Sequence, residues 1–189
     1  MKKIYFLLMF LGFTYANELQ SPSRIEDLPD YTSPISLVSA YSGNLLFIDE
    51  KQLNWNIKEV ILTEDIIKRD PFARFGLGAV QFVKPDNASV CLGIDESGFF
   101  KGKSCTEDLK SKKLETVFTI IPTITGAVQI RSFVQNANEC ISVFDNPTLP
   151  HGRDFGIAPC GVDSFFNIKL RNLMLILPPK IPAIPSKIP

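Results

Sequence analysis

The sequence predicts an all-β domain built by threefold repetition. Three observations carry this. Helical periodicity is scarce, and short β-rich runs are separated by Gly, Pro, Asn, Asp and Ser clusters. A strand–turn–strand pattern recurs three times. An aromatic residue placed two before an isoleucine also recurs three times. Three units of about 45–50 residues suit a β-trefoil, and a β-sandwich is the alternative architecture.

The first unit reads Ile35-Ser36-Leu37-Val38, then the turn Ser42-Gly43-Asn44, then Leu45-Leu46-Phe47-Ile48. The second reads Val80-Gln81-Phe82-Val83, the turn Asp86-Asn87-Ala88-Ser89, then Val90-Cys91-Leu92-Gly93-Ile94. The third reads Val128-Gln129-Ile130-Arg131, the turn Gln135-Asn136-Ala137-Asn138, then Cys140-Ile141-Ser142-Val143. Leu45, Cys91 and Cys140 therefore take equivalent places. Trp55-Asn56-Ile57, Phe118-Thr119-Ile120 and Phe166-Asn167-Ile168 give each unit a later strand. Period-two spacing puts the aromatic and the isoleucine on one face, toward the core. One short helix is expected over 63–69, with Thr63 as N-cap, Glu64 and Asp65 in the first turn, and Asp70-Pro71 as the stop.

The ends differ from this body. Lys2 and Lys3, an apolar run from Ile4 to Phe13, and Thr14-Tyr15-Ala16 read as a secretory signal peptide over residues 1–16. The apolar run is too short to span a membrane, and no Cys stands at the cleavage site to take a lipid anchor. Residues 17–34 carry Pro22, Pro29 and Pro34 and read as an extended N-terminal arm. The trefoil is expected over 35–177. Residues 178–189, with five prolines, read as a polyproline-like tail. The expected localisation is secreted, through the periplasm.

Losing Lys2 and Lys3 from 20 basic residues leaves 18 against 20 acidic ones. Nucleic-acid binding would want a basic surplus, so no direct nucleic-acid partner is expected. The four cysteines, Cys91, Cys105, Cys140 and Cys160, all lie in the exported part, where two disulfides are the default. Three pairings are possible, and the repeat favours Cys91–Cys105 with Cys140–Cys160. A zinc site would want a C-x2-C pair and more than the single His151, so no metal is expected.

No catalytic set emerges. His151 sits in a Pro/Gly-rich loop with every Cys expected to be bridged. Gly76-Leu77-Gly78 lacks the rest of a phosphate-binding pattern, and no cofactor is implied. The acidic pairs Asp95–Glu96 and Glu107–Asp108 are expected in turns, solvated. Asp49, Asp95 and Asp145 follow the second strand of each unit. They read as sugar-binding acids or as ordinary turn residues. Asn87-Ala88-Ser89 matches a glycosylation sequon and reads as a turn. Fifteen Phe is a high supply. Phe72, Phe75, Phe99 and Phe100 lie in Gly- and charge-rich stretches, as receptor-contact candidates or as plugs under loops.

Several runs resemble a known family: Trp55-Asn56-Ile57-Lys58-Glu59, Leu114-Glu115-Thr116-Val117-Phe118, Ala127-Val128-Gln129-Ile130-Arg131-Ser132, and Phe155-Gly156-Ile157-Ala158-Pro159-Cys160. In order, with the cysteines, they are similar to the C-type binding component of the cytolethal distending toxin of Gram-negative bacteria, over nearly the whole mature chain. The resemblance implies a ricin-type lectin trefoil that is not an enzyme. It implies pairing with the toxin's other, A-type lectin-like component on the host surface. It implies delivery of the B-type component, a nuclease of the DNase I type. It also implies that the N-terminal arm, here between residues 18 and 31 with Glu18, Leu19, Leu28 and Tyr31, lies against the nuclease. The host target would be a glycan, a protein or a sterol. A forward sterol motif is broken, because Ala79 stands where its Tyr would be. The reversed pattern Arg69, Phe72, Leu77 does fit. A trefoil protease inhibitor and a stand-alone carbohydrate-binding lectin are the competing readings.

Overall fold

The computed structural model describes residues 31–48, 53–70, 76–134, 138–144, 154–161 and 169–180. The first unit gives β1 (Ser36–Ser39) and β2 (Asn56–Val60), followed by helix α1 (Glu64–Arg69). The second gives β3 (Ala79–Lys84), β4 (Asn87–Ile94), β5 (Phe100–Ser104), helix α2 (Cys105–Ser111) and β6 (Phe118–Pro122). The third gives β7 (Val128–Ser132), β8 (Glu139–Val143), β9 (Phe155–Pro159), a 3-10 turn (Leu170–Asn172) and β10 (Leu173–Leu177).

All strand pairs among the described residues are antiparallel. Pairing runs from β1 through β10, β7, β6 and β3 to β2. The bridge from Ile35 to Trp55 then joins β2 back to the start of β1, closing a six-stranded ring. β4–β5 and β8–β9 form hairpins outside it. The threefold relation shows in the register. Ile35 meets Trp55, Val80 meets Phe118, and Val128 meets Met174. This is a β-trefoil.

The core is three residues deep at each level because period-two alternation repeats in every unit. Leu37, Phe82 and Ile130 form one trio, Trp55, Phe118 and Met174 a second, and Leu46, Leu92 and Ile141 a third. All nine are at 0% exposure. Burial of each large side chain stabilises by about 1.5–3 kcal/mol. Trp55 Nε1 donates to the Leu46 carbonyl at 3.1 Å, so its polar edge is satisfied inside. The turn at Ser42-Gly43-Asn44 needs a left-handed residue, and Gly43 supplies it at φ 74°.

Phe166-Asn167-Ile168, read as the third member of the aromatic repeat, lies outside the described residues. The place of Trp55 and Phe118 is held by Met174, and Ile57 and Ile120 are matched by Ile176. The rule "large apolar residue two before Ile" holds, but the core asks for volume, and Met fills it as well as a ring does.

Two helices cover a second apolar cluster of Val60, Ala79, Val117 and Phe133, with Leu62, Ile66, Leu109 and Leu114 packed on it. α1 starts after Thr63 as expected, although the Thr63 side chain makes no capping bond. α2 is a helix that the sequence pattern does not predict. Ser104 Oγ accepts from the Glu107 N–H at 3.3 Å, and acids occupy its first turn. The expectation that Glu107 and Asp108 are both solvated fails at Asp108. It is buried and accepts from the N–H groups of Glu115 (3.0 Å) and Thr116 (2.8 Å) and from the Thr116 hydroxyl (2.7 Å). A carboxylate that gathers three donors can leave water without an unpaired charge. It holds the chain between α2 and β6.

Both ends of the described chain meet β2 or its approach. Tyr31 bridges to Lys58 and the Thr32 N–H donates to the Ile57 carbonyl at 3.0 Å. At the other end, Asn54 grips Lys180 in both directions. Its Nδ2 donates to the Lys180 carbonyl (3.1 Å) and its Oδ1 accepts the Lys180 N–H (2.8 Å).

Candidate binding surface

Two disulfides staple the second and third units, Cys91–Cys105 and Cys140–Cys160, and no described cysteine is free. Cys91 leaves β4 and reaches the start of α2. Cys140 leaves β8 and reaches the residue after β9. Leu45 stands at the equivalent place in the first unit, bridged to Val38.

Among the described residues, no group of three or more His, Cys, Asp or Glu side chains gathers where a metal could bind. No described helix is long and apolar enough to cross a membrane. His151, Asp49, Asp145, Glu18, Leu19, Leu28, Phe72 and Phe75 lie outside the described residues. Arg69 is the last residue of α1, and Leu77 is half-buried in the connection to β3.

Asp95 performs turn chemistry. Its Oδ1 accepts from the N–H groups of Ser97 (2.9 Å) and Phe99 (3.0 Å), and its Oδ2 lies 4.0 Å from Lys101 Nζ. That carboxylate shapes the hairpin between β4 and β5 and sets the place of Phe99. Asn87 likewise accepts from Ser89, at both N–H (3.1 Å) and hydroxyl (2.6 Å), as a turn residue does. We expect Asp95→Ala to cost about 1 kcal/mol, read as a melting temperature lower by roughly 2–4 °C for a domain of this size. An unchanged melting curve would show that the turn does not depend on the carboxylate.

The neighbouring phenylalanines, Phe99 and Phe100, divide. Phe100 packs half-buried on the main core, whereas Phe99 is 42% exposed. The structure adds Phe144, 41% exposed, which no sequence motif singles out. A side chain at Gly156 would come within 2.9 Å of the Phe144 ring and 3.1 Å of the Gly98 carbonyl. Phe144 therefore lies over bare backbone, beside the turn that carries Phe99. Two half-exposed rings thus border the meeting of the second and third hairpins. A second apolar and cationic group joins Tyr41 with Arg171, whose guanidinium lies 5.0 Å from the Tyr41 ring centroid, beside the exposed Leu170. The alternation does not mark Phe144 in advance: Ile141 and Val143 face the core, but Ser142 between them is buried as well.

The fold and this surface define a lectin-like β-trefoil whose described features are stapled turns and exposed aromatic rings. The chain belongs to the cytolethal distending toxin A/C domain family, whose model matches residues 34–186. It is a toxin subunit of the lectin-like kind. It is similar to a chain in the crystal structure of cytolethal distending toxin from Haemophilus ducreyi, with 26% identity, a TM-score of 0.61, and coverage of 89% of this chain and 99% of that one. A chain of the toxin from Actinobacillus actinomycetemcomitans matches at 24% identity and a TM-score of 0.60, covering 88% and 99%. A designed threefold-symmetric protein, ThreeFoil, shares the fold at 10% identity and a TM-score of 0.50, covering 76% and 97%. No curated protein sequence matches the chain.

Proposed function

We propose that this chain is the C-type binding component of a tripartite toxin. It pairs with a second lectin-like subunit, attaches the assembly to the host cell surface, and delivers a nuclease subunit while breaking no bonds itself. The observation that carries this is the coverage. The match takes in 88–89% of this chain and 99% of each toxin chain, so the similarity spans a whole subunit. Exposed aromatic rings and stapled turns suit adhesion. Export with cleavage after Ala16 is part of the proposal, because two disulfides need an oxidising compartment.

A glycan or protein receptor is favoured over a sterol. Ala79, at the place of the missing Tyr, is buried in the second cluster, and Val80 and Phe82 beyond it pack in the main core. That stretch is barrel wall, covered on both faces, by the main core on one side and the second cluster on the other.

Co-expression with the two partner subunits tests the reading. A single three-component complex on gel filtration is expected, with the recovered chain beginning at Asn17 by mass. Elution of this chain alone, in the presence of both partners, would sink the assembly.

A further inference from the structure

The two ends of the barrel expose different side chains. β2, β6 and β10 all finish at one end, where β1, β3 and β7 begin. The half-exposed rings of Phe99 and Phe144 belong to hairpins that leave the barrel at the other end, after β3 and β7. At the first end the turn between β6 and β7 lifts Ile124 clear of the protein, at 101% exposure. The polar groups of that turn satisfy one another. The Thr123 N–H and hydroxyl both donate to the Ala127 carbonyl (3.1 and 2.7 Å), the Thr125 N–H donates to Thr123 Oγ1 (3.4 Å), and Thr125 Oγ1 lies 2.8 Å from it. Gly126, at φ 80°, closes the turn. No charged residue stands between Glu115 and Arg131. The position recurs. Ile124 is six residues past Phe118, and Ile61, six past Trp55, is 79% exposed. The third unit puts Lys180 there, exposed, with its backbone held by Asn54.

We propose that this end of the barrel is a lipid-contact rim: Ile124 and Ile61 enter the surface of a zwitterionic bilayer such as phosphatidylcholine, with Lys180 at the level of the phosphates. A tip whose hydroxyls and amides already bond one another leaves water at little cost. The shape favours lipid over a protein partner. The centre of a protein interface is a continuous, packed patch anchored by aromatic or Arg side chains. Here the isoleucines stand on separate units around the rim, as convex points, and a flat, fluid surface takes both at once. The charges favour a surface with no net charge. Lys58 stands beside Glu59, and Glu64 is paired with Lys68 at 3.4 Å, so this end has no basic cluster to gather anionic lipid. Such a contact extends the adhesive role proposed above and needs neither partner subunit. It holds the barrel at the host surface, while the rings at the far end meet a receptor that stands above the bilayer, and two weak contacts on one molecule reinforce each other.

The test uses the full mature chain, free of the apolar run from Ile4 to Phe13, with sterol-free phosphatidylcholine vesicles. Trp55 is the single Trp and is fully buried, so Ile124→Trp adds a reporter at the tip over a background that lipid does not reach. Its emission is expected to move to the blue on mixing, and to be quenched by lipids brominated on their acyl chains. Ile124→Asp, at a position that supports no packing, is expected to lower vesicle binding roughly tenfold to a hundredfold and to leave the melting curve unchanged. Ile61→Asp should lower binding in the same direction. Equal binding at low and high salt is expected of an apolar contact. Emission of Ile124→Trp that stays that of a water-exposed ring at millimolar lipid overturns the rim. So does binding that salt abolishes, which would belong to headgroup charge. So does a blue shift seen only when the second lectin-like subunit is added, which would give the tip to a protein pocket. None of these results bears on whether the three subunits assemble, which the gel-filtration experiment decides.

Discussion

Arg131→Ala is expected to destabilise the protein by about 3–5 kcal/mol, the cost of stranding one member of a buried ion pair. Arg131 is at 0% exposure, the side chain of Asp70 at 8%, and two parallel bonds join them, at 2.7 and 2.8 Å. Thr119 Oγ1 accepts from the same guanidinium at 3.3 Å, and the Phe133 ring lies under it at 4.8 Å. Asp70 also closes α1, its N–H bonding the carbonyls of Ile66 and Ile67. The pair therefore fastens the connection after the first unit to β7 of the third. Its place is singular. Val83 meets Cys91 across the sheet where Arg131 meets Cys140, so a charge stands at a position the repeat fills with valine. A total stability of about 5–15 kcal/mol leaves little margin for such a loss. Urea denaturation of Arg131→Ala and Asp70→Ala should show midpoints falling by similar amounts. Arg131→Met combined with Asp70→Leu should recover most of the loss, because no charge is then left buried. A cost below about 1 kcal/mol, the value of an exposed pair such as Lys68–Glu64, would show that water reaches the site.

The difference between Arg131 and its neighbours bears on how much of this molecule its sequence discloses. The strand alternation is legible because burial in a barrel wall is a period-two property of adjacent residues. Leu37, Phe82 and Ile130 can be aligned by eye, and so can Leu46, Leu92 and Ile141. The staples are legible because the cysteines recur in register with the repeat. Met174 is not, since a pattern keyed to aromatic type misses a residue chosen for volume. Asp70 with Arg131, 61 residues apart, carries no local signal either. A charged residue inside a strand reads as solvent-facing until its partner is placed in space. Asp108 escapes for the same reason. Its donors come from residues seven and eight further on, beyond a helix that only the Ser104 cap announces. The candidate surface is half legible. Phe99 and Phe100 both stand out in the sequence, but which ring turns outward depends on the Asp95 turn, and Phe144 becomes visible only once Gly156 is beneath it.

Removal of both disulfides is the other large expected effect. The bridges close stretches with sequence separations of 14 and 20, so each stabilises by about 3 kcal/mol, chiefly by restricting the unfolded chain. They lie in different units and share no partner, so their effects should add. Cys91→Ala with Cys105→Ala is expected to cost about 3 kcal/mol, Cys140→Ala with Cys160→Ala about the same, and all four about 6 kcal/mol. Alanine is the replacement to use, because Cys91 and Cys140 are fully buried and a serine hydroxyl there would add a desolvation cost of its own. A loss of about 6 kcal/mol approaches the whole stability of a domain of this size. The chain should therefore hold its fold poorly where thiols are kept reduced and well where they are oxidised. Denaturant titration of the three variants decides it. If the fourfold variant unfolds at the midpoint of the parent, the staples add nothing, and the apolar core with the buried ion pair carries the fold alone.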